Sequence, residues 1–507
     1  MFIREKKNKS GSVSIQILSK ENGRNVLLKT MGSATKRPEI EALKLQAQHY
    51  MDELKHQPSL LMTEQDEQIV KMIQTLSNSD VSMAGPELIF GRIYDWIGFN
   101  QIKNDLFRHL VLARLTFPLS KLKTVSYLER YQGVQLEISA IYRFLDQLED
   151  KYKEQLEQIS FMHTKRMLDN QIHIVFYDMT TLHFETEDED DLRRTGFSKV
   201  GKHTHPQIYL GLLVGQQGYP IAYDIYEGKS YEGNTLIPFI ERIRQKFNLH
   251  KPVVVADSGL LSKHNLIHLE TLGYPYIIGA RIKSENEQLK QAMLAYYPYN
   301  DNQIIELDKE GKRLIVHYSH ERAYRDADNR RKGLERLEKR IRTGQLTKGH
   351  LNKRGYNKYL RLQGELSIEI DYEKFIQDKR WDGLKGYITN TTLPPKELLA
   401  HYGQLWQIER AFRISKTDLR IHPIYHRLEH RIRAHIALVF AAYSISKTLE
   451  TVLKKEHSTL SLKRASEITQ TMYQVDIMLP DLKQKQKILL EMDKEQQELL
   501  AICQKYF

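Results

Sequence analysis

Two short apolar segments that each end on an aspartate constrain the fold of this chain most strongly. They are Ile172–Asp178 (IHIVFYD) and Pro252–Asp257 (PVVVAD). Segments of this length and β-branched content are typical of buried strands. A carboxylate at the end of such a strand is costly unless it faces solvent or a cation. The pair therefore suggests a site for a hard divalent ion, although an aspartate before Ser258-Gly259 also suits a turn.

The elements around these segments predict an α/β fold. Further strands are expected at 208–214, 219–224 and 276–280, with helices over Thr235–Phe247 and Ser262–Leu272. The resulting order is β-β-β-α-β-α-β, in which an apolar strand, a helix and a second apolar strand imply parallel pairing with buried faces. Because functional sites in open α/β sheets gather at strand ends, both aspartates are candidate site residues.

A third carboxylate comes from a helix predicted over Lys396–Lys416, which follows two prolines that suit a helix start. At about 100° per residue, one stripe of that helix carries a glutamate between an aromatic hydroxyl and cations. A glutamate in this setting can bind a metal ion and hold phosphate oxygens beside it. A solvated helix face with a glutamate–arginine pair gives the same pattern. The residues of the stripe are Tyr402, Leu405, Glu409, Arg413 and Lys416.

Three motifs in this order resemble the DDE transposases of bacterial insertion sequences, in the branch with a Tyr-Arg-Glu-Lys signature. That signature reads Y, two residues, R, three residues, E, six residues, K. This chain has Tyr402-GQ-Leu405-WQI-Glu409-RAFRIS-Lys416, so only the arginine position differs. The segments FYDMTTLHFE and VVVADSGLLSKHNL are similar to the first and second acidic motifs of the family.

The resemblance implies a ribonuclease-H-like catalytic domain in which Asp178, Asp257 and Glu409 are catalytic metal ligands. It further implies two Mg²⁺ ions, which Mn²⁺ can replace, and cleavage of DNA ends followed by joining to target DNA. Tyr402 and Lys416 would contact phosphates near the cut. Leu405 removes one expected phosphate contact, and the helical stripe suggests Arg413 as its replacement.

The resemblance also implies a β-rich insertion between Asp257 and Glu409, which are 152 residues apart. Strands are expected at Ile304–Leu307, Arg313–Tyr318 and Leu366–Ile370, and the stretch 322–354 carries twelve Lys or Arg against four Asp or Glu. We expect that stretch to be a helix and a basic loop lying on DNA phosphates. Trp381 either stacks on a flipped DNA base, as in hairpin-forming relatives, or packs under a strand.

The N-terminal region is expected to recognise the terminal inverted repeats. Residues 12–31 predict a β-hairpin around Asn22-Gly23, a helix follows over Ile40–Leu54, and the chain is helical from Glu87 to about Leu168. A cap at Ser120 and a turn at Gly133 fit either a helix-turn-helix or an ordinary helical hairpin. In the first case the phosphate contacts would be Lys121, Lys123, Arg130 and Arg143.

Composition supports a nucleic-acid partner. The chain has 76 Lys or Arg against 64 Asp or Glu, a formal charge of +12 and a pI near 9.2, and a basic balance is typical of proteins that bind polyanions. A single cysteine, Cys503, excludes a disulfide framework and fits a reducing cytoplasm. The resemblance implies a bacterial cytoplasm, with the protein on the nucleoid when bound to DNA. The longest apolar run, 434–445, is too short for a membrane span. The sequence contains no phosphate-binding loop motif, so a nucleotide cofactor is not expected.

We therefore predict a DNA transposase that acts on double-stranded DNA, with a homodimer implied by the resemblance. The alternatives are a structure-selective nuclease with the same fold, which would cut without joining, and a non-catalytic DNA-binding relic. The expected domains are an N-terminal β-hairpin with helix (1–60), a helical DNA-binding region (61–168), a catalytic domain in two parts (169–282 and 389–455), an insertion (283–388) and a helical tail (456–507).

Overall fold

The protein is described from a computed structural model of residues 1–507. The description excludes residues 22, 57–68, 71, 72, 75, 187, 197–203, 231–233, 261, 347–350, 353, 354, 364–366 and 479–484. The hairpin residue Asn22, the first residue of the strand expected at Leu366, and part of the basic loop after residue 342 therefore lie outside the described residues.

An eight-stranded mixed sheet forms the centre of the larger of two compact units, which comprises Val81–Val475 and Ile488–Phe507. The strand order is β10-β11-β14-β9-β8-β5-β6-β7. The strands are β5 (Ile174–His183), β6 (Gln207–Gly215), β7 (Pro220–Glu227), β8 (Val253–Ala256), β9 (Tyr276–Ala280), β10 (Ile304–Lys309), β11 (Lys312–Tyr318) and β14 (Leu384–Thr389). A mixed α/β architecture is thus confirmed.

The order of the first five strands follows the sequence pattern. Strand β5 pairs in parallel with β8, and β8 pairs in parallel with β9. Strands β5, β6 and β7 form an antiparallel meander. The two predicted helices are present as α6 (Leu236–Phe247) and α7 (Lys263–Thr271), and they supply the connections that parallel strands require.

The segment expected to be a β-rich insertion contributes strands to the central sheet. Strand β14 pairs with β9, β11 with β14, and β10 with β11, all antiparallel. Only β12 (Leu360–Gln363) and β13 (Ser367–Ile370) form a separate two-stranded sheet. They share a small apolar cluster with a long basic helix. The helices of this segment are α8 (Glu287–Leu294), α9 (His320–Arg342) and α10 (Tyr372–Gln377).

Alternation along the strands gives the sheet two apolar faces. In β5, Ile174 and Phe176 belong to one core, while Val175 and Tyr177 belong to the other. Helices α6 and α7 contribute to the second core. The first core contains three C-terminal helices, α11 (Pro395–Gly403), α12 (Trp406–Arg413) and α13 (Glu429–Lys455). Successive side chains of a strand point to opposite faces, so residues at every second position belong to the same core.

Helix α13 also packs against a helical region that precedes the sheet. Its helices are α2 (Arg92–Ile97), α3 (Asp105–Thr116), α4 (Lys121–Gln132) and α5 (Ile138–Met167). The predicted cap and turn are confirmed: Ser120 Oγ accepts from Lys123 N, and Gly133 ends α4 at φ 66°. Glycine suits this left-handed position because it has no Cβ.

The second compact unit comprises Met1–Asp80 and Asp476–Lys487. The predicted hairpin is present as β2 (Val13–Glu21) and β3 (Arg24–Ala34), and the predicted helix as α1 (Arg37–His56). An unpredicted strand, β1 (Phe2–Lys7), pairs with β2 and makes a three-stranded sheet. Its sequence, FIREKK, lacks an apolar pattern because it is a largely exposed edge strand.

The C-terminal segment was expected to be a helical tail, but it contains strands as well as helices. Helices α14 (Leu462–Thr469) and α15 (Lys494–Tyr506) flank two strands, β15 (Tyr473–Met478) and β16 (Lys485–Leu489). The first half of β15 pairs with β4 (Val81–Met83). Helix α13 is long and apolar enough to cross a membrane, but 94% of its apolar window is buried within the protein. The longest apolar run of the sequence, 434–445, lies within this buried helix.

Candidate functional site

The two aspartates lie on neighbouring strands. Asp257 directly follows β8, as predicted, whereas Asp178 lies in the middle of β5, which continues to His183 and does not end at Asp178 as the sequence indicated. In the parallel pair of β5 and β8, Tyr177 is opposite Ala256, so Asp178 and Asp257 are the next residues at the same level. Asp178 is two residues after Phe176, and Asp257 is two residues after Val255; both of these apolar side chains belong to the first core. Both aspartates therefore belong to the face of the sheet that the C-terminal helices cover. Asp178 and the end of β8 therefore lie next to each other on one face of the sheet.

The glutamate helix packs on that same face, but it is not the single straight helix that the sequence predicted. Helix α11 ends at Gly403, and backbone bonds from Leu405 N to Tyr402 O and from Ile408 N to Leu405 O make a tight turn before α12. A wider helical turn, Ile414–Asp418, follows α12. A constant 100° per residue therefore does not apply along the stripe. Glu409 lies exposed in the first turn of α12, which packs against β5.

Tyr402 and Lys416 connect the helices to the strands that carry the aspartates. The hydroxyl of the buried Tyr402 donates to Asp257 Oδ1 at 3.3 Å. Burial and the nearby Asp257 raise the pKa of Tyr402, so it stays a hydrogen-bond donor. Lys416 Nζ donates to Thr180 Oγ1 at 2.6 Å and to Thr181 O at 3.2 Å, two and three residues beyond Asp178. Both residues thus lie beside the carboxylates.

Two cations that the sequence analysis did not assign to the carboxylate site border it. Lys385 Nζ lies 4.5 Å from the centre of the Tyr402 ring, on β14. Burial and Arg322 lower the pKa of Lys385, and the opposing charges of Asp257 and Glu409 act on it as well. Arg322, from α9, lines a cavity of about 420 Å³ together with Asp257, Tyr402 and Lys385. The sequence feature that could have identified Lys385 is a lysine within the otherwise apolar strand LKGYIT.

Neither Leu405 nor Arg413 is among the residues that line this cavity. Leu405 is buried and belongs to the apolar core. Arg413 is exposed and lines a different cavity, with Arg410, Asp418 and Glu450. Lys385 and Arg322 therefore share a cavity with Asp257 and Arg413 does not, while the role of Arg413 stays a prediction.

The carboxylates could hold a cation, although their side chains do not form a compact cluster. Among the described residues, no group of three or more His, Cys, Asp or Glu side chains has the proximity of a metal site. Asp178 Oδ1 accepts from Met179 N at 2.7 Å, and Asp257 accepts from Tyr402. Carboxylate oxygens at one sheet edge are the donors that Mg²⁺ prefers, and one or two protein carboxylates suffice when phosphate oxygens and waters complete the shell.

Substituting Gly279 by alanine is expected to lower DNA cleavage by about 10- to 100-fold, since small displacements of site groups have effects of this size. A Cβ at Gly279 would lie 2.6 Å from the Tyr402 hydroxyl and 3.1 Å from Ser258 N, so Tyr402 must leave Asp257. The rate of strand cleavage measures the effect. Gly403→Ala is the matched control, because no described atom lies within 4 Å of that added Cβ. Equal rates for the two variants would contradict the role of this contact.

The remaining predicted DNA contacts are distributed over the larger unit. Trp381 is half-buried and packs against the apolar cluster under β10, β11 and β14, which agrees with the alternative of packing under a strand. Arg143 is exposed on α5. Arg130 is exposed and lies 5.8 Å from the Tyr131 ring. Lys123 is exposed, whereas Lys121 is buried rather than displayed on the surface of a recognition helix.

Comparison with known proteins places the site in a family. Residues 169–445 match the family model described as "Transposase DDE domain". A search of curated proteins gives no match. Among solved structures, the piggyBac transposase synaptic complex with hairpin DNA is similar over 79% of this chain and 80% of that chain, at 8% identity and a TM-score of 0.39. The Mos1 transposase paired-end complex is similar over 47% and 74%, at 13% identity and a TM-score of 0.16.

Proposed function

This chain belongs to the DDE transposase family, and we propose that it cleaves DNA at the inverted repeats of an insertion sequence and joins those ends to target DNA. The observation that carries the proposal is the common level and common face of Asp178 and Asp257, beneath the helix that bears Glu409. These are the three acids that the family resemblance predicted.

The proposed cofactor is a pair of Mg²⁺ ions, which Mn²⁺ can replace. Asp178, Asp257 and Glu409 would hold the ions, because oxygen donors at one edge of the site suit hard divalent cations. When bound, such ions activate a water or a 3′-hydroxyl and stabilise the leaving oxygen of an in-line phosphoryl transfer.

The side chains around the acids position the DNA backbone. The Tyr402 hydroxyl fixes the orientation of the Asp257 carboxylate through its hydrogen bond. Lys416 fastens the end of the glutamate helix to the strand of Asp178. Lys385 and Arg322 supply positive charge beside Asp257, where a phosphate next to the scissile bond would lie. Charges fixed in a partly buried site stabilise the developing charge of the transition state.

The same proposal includes the fold of the catalytic domain, the branch of the family, the oligomeric state and the location of the protein. The strand order β7-β6-β5-β8-β9 is consistent with a ribonuclease-H-like fold. The spacing of Tyr402, Glu409 and Lys416 supports the Tyr-Arg-Glu-Lys branch, with leucine at the arginine position. We further propose a homodimer on double-stranded DNA, in the cytoplasm and on the nucleoid of a bacterium. The N-terminal region and the helices α4 and α5 are proposed to recognise the repeats.

The test is a cleavage and joining reaction with the full chain and DNA that carries the sequences flanking its coding region. With Mg²⁺, the proposal expects 3′-hydroxyl ends and joined products, and with a chelator neither. Cleavage without any joining would favour a structure-selective nuclease. Binding to those ends without cleavage in Mg²⁺ or Mn²⁺ would favour a non-catalytic relic.

A further inference from the structure

A basic cavity of about 440 Å³ lies at the N-terminal end of α4, outside the carboxylate site. It is lined by residues of α3, α4, α5 and α13, and of the segment between the glutamate helix and α13. Among the described residues that line it, four are arginines or lysines and none is an aspartate or a glutamate. The basic lining residues are Arg114, Lys121, Lys123, Arg420, His422, His426 and His435.

Two of these cations are buried without a carboxylate partner. Arg114 is 6% exposed and Lys121 is 8% exposed. Among the ion pairs of the described residues, neither side chain takes part in one, and burial lowers the pKa of both. A buried charge that lacks a counter-charge is expensive, so proteins normally pair it or let a ligand neutralise it.

The neighbouring histidine does not supply the missing negative charge. His435 Nε2 lies 3.2 Å from Ile421 O, so this nitrogen carries the proton and donates to the carbonyl. The other ring nitrogen, Nδ1, then accepts from Arg114 Nη2 at 3.4 Å. His435 is therefore neutral in this arrangement, because burial and the adjacent cations lower its pKa. It orients Arg114 but leaves the positive charge of Arg114 uncompensated.

One residue that lines the cavity, His422, lies near the end of β5, the strand that carries Asp178. The His422 ring lies 6.3 Å from the ring of His183, the last residue of β5. His183 follows Asp178 by five residues, which in an extended strand is about 17 Å. A DNA strand presents several phosphates over that length, since each rise of about 3.4 Å adds one charge per strand. The start of α4 also points its backbone N–H groups at this region, which favours anions.

We propose that this cavity binds a phosphate group of DNA through Arg114, Lys121 and Arg420, at a distance from the cut. The inference rests on the proposed function, because the phosphate belongs to the DNA held at the carboxylate site. Lys121 acts here from inside a cavity and not from the exposed face of a recognition helix. The phosphate supplies the negative charge that the buried side chains lack within the protein.

The experiment measures the affinity of the full chain for short duplex DNA by fluorescence anisotropy, without divalent metal, between about 50 and 200 mM salt. For Lys121→Met we expect about tenfold weaker binding, with the slope of log K against log salt reduced by about 0.9, the value for one phosphate. Its melting temperature should stay equal or rise, because an unpaired buried charge is removed. Lys151→Met, an exposed lysine of α5 bonded only to Gln147 among the described contacts, should bind like the wild type.

Arg420→Gln tests the same cavity with an exposed side chain, so its effect does not depend on tolerance of a core substitution. It should weaken binding in the same way. Wild-type affinity in both cavity variants, or an equal loss in Lys151→Met, would overturn the proposal. Duplexes with 5′-phosphate and 5′-hydroxyl ends identify the source of the group: equal losses on both indicate a backbone phosphodiester, and a loss only on the first indicates a terminal phosphate.

The failure of this inference can be told apart from the failure of the proposed function. If the wild type binds duplex DNA and the cavity variants do too, only the cavity proposal is wrong. If the wild type binds no duplex DNA, both proposals are wrong. In that event inorganic phosphate is the second probe: a rise in melting temperature that Lys121→Met abolishes would assign the cavity to a phosphate ligand other than DNA.

Discussion

Replacing Asp178 by asparagine will abolish strand cleavage, with a loss on the order of 10³-fold or more, while DNA binding persists. Single groups that stabilise transition-state charge are worth about 10²–10³-fold, and a metal ligand also positions the ion itself. Asparagine keeps the shape of the side chain and its acceptor for Met179 N, so the strand should stay intact. The measurement is the single-turnover cleavage rate in Mg²⁺, together with the DNA affinity and the melting temperature.

Asp224→Asn is the matched control for this variant. Asp224 lies in the same sheet, on β7, and its Oδ1 accepts from Ile225 N at 2.9 Å, as Asp178 accepts from its own neighbour. Asp224 is two residues after Ala222, which belongs to the second core, so its side chain lies on the opposite face of the sheet. There it forms an ion pair with Arg242 at 3.3 Å. Its cleavage rate should stay within a few-fold of wild type. Cleavage by Asp178→Asn at a rate near that of the control would remove Asp178 from the catalytic site.

The second large effect concerns stability. Glu450→Ala is expected to lower the free energy of unfolding by about 3–5 kcal/mol, the usual result of breaking a buried ion pair on one side. Glu450 is 4% exposed and pairs with Lys447 Nζ at 2.7 Å and with Arg410. Although burial disfavours its charge, Lys447 and Arg410 hold the pKa of Glu450 below its ordinary value. The alanine would leave Lys447, 3% exposed, as a buried unpaired cation.

Urea denaturation gives the free energy of unfolding of Glu450→Ala and of the double variant Lys447→Met/Glu450→Leu. Comparing the two separates the cost of an unpaired buried charge from the cost of lost packing. The double variant should recover most of the lost stability, because removing both buried charges is often neutral or stabilising. Arg410 and Lys454 are partly exposed and can turn to solvent. Glu495→Ala, which breaks an exposed pair with Arg464, should change little. A double variant as unstable as Glu450→Ala would show that packing, and not the unpaired charge, is responsible.

How far the sequence predicts this protein depends on how local each feature is. The apolar runs of β5 and β8 were predictable because each is contiguous with its aspartate, and strand alternation then sets the face of both side chains. The continuation of β5 past Asp178 to His183 was not predicted, because the apolar run stops at the aspartate. The helical hairpin was predictable because Ser120 and Gly133 act on their own helix ends. The family motif added Glu409, which no local pattern ties to the aspartates.

The features that were missed depend on contacts between distant segments. Strands β10, β11 and β14 look the same in sequence whether they form their own sheet or extend another, because pairing partners are chosen by tertiary packing. The charges of Lys385 and Arg322 reach Asp257 only through that extended sheet. The tight turn at Gln404–Leu405 also falls inside an uninterrupted helical pattern, so the predicted stripe was wrong in its geometry.

The measurement that tests the central claim most directly is cleavage by Glu409→Gln of DNA carrying the chain's own flanking sequences, in Mg²⁺. Glu397→Gln is the control, because Glu397 is an exposed glutamate in the first turn of the adjacent helix α11. The account predicts that the wild type and Glu397→Gln yield 3′-hydroxyl ends and joined products, whereas Glu409→Gln binds the same DNA and yields neither. Cleavage and joining by Glu409→Gln at the wild-type rate would contradict it.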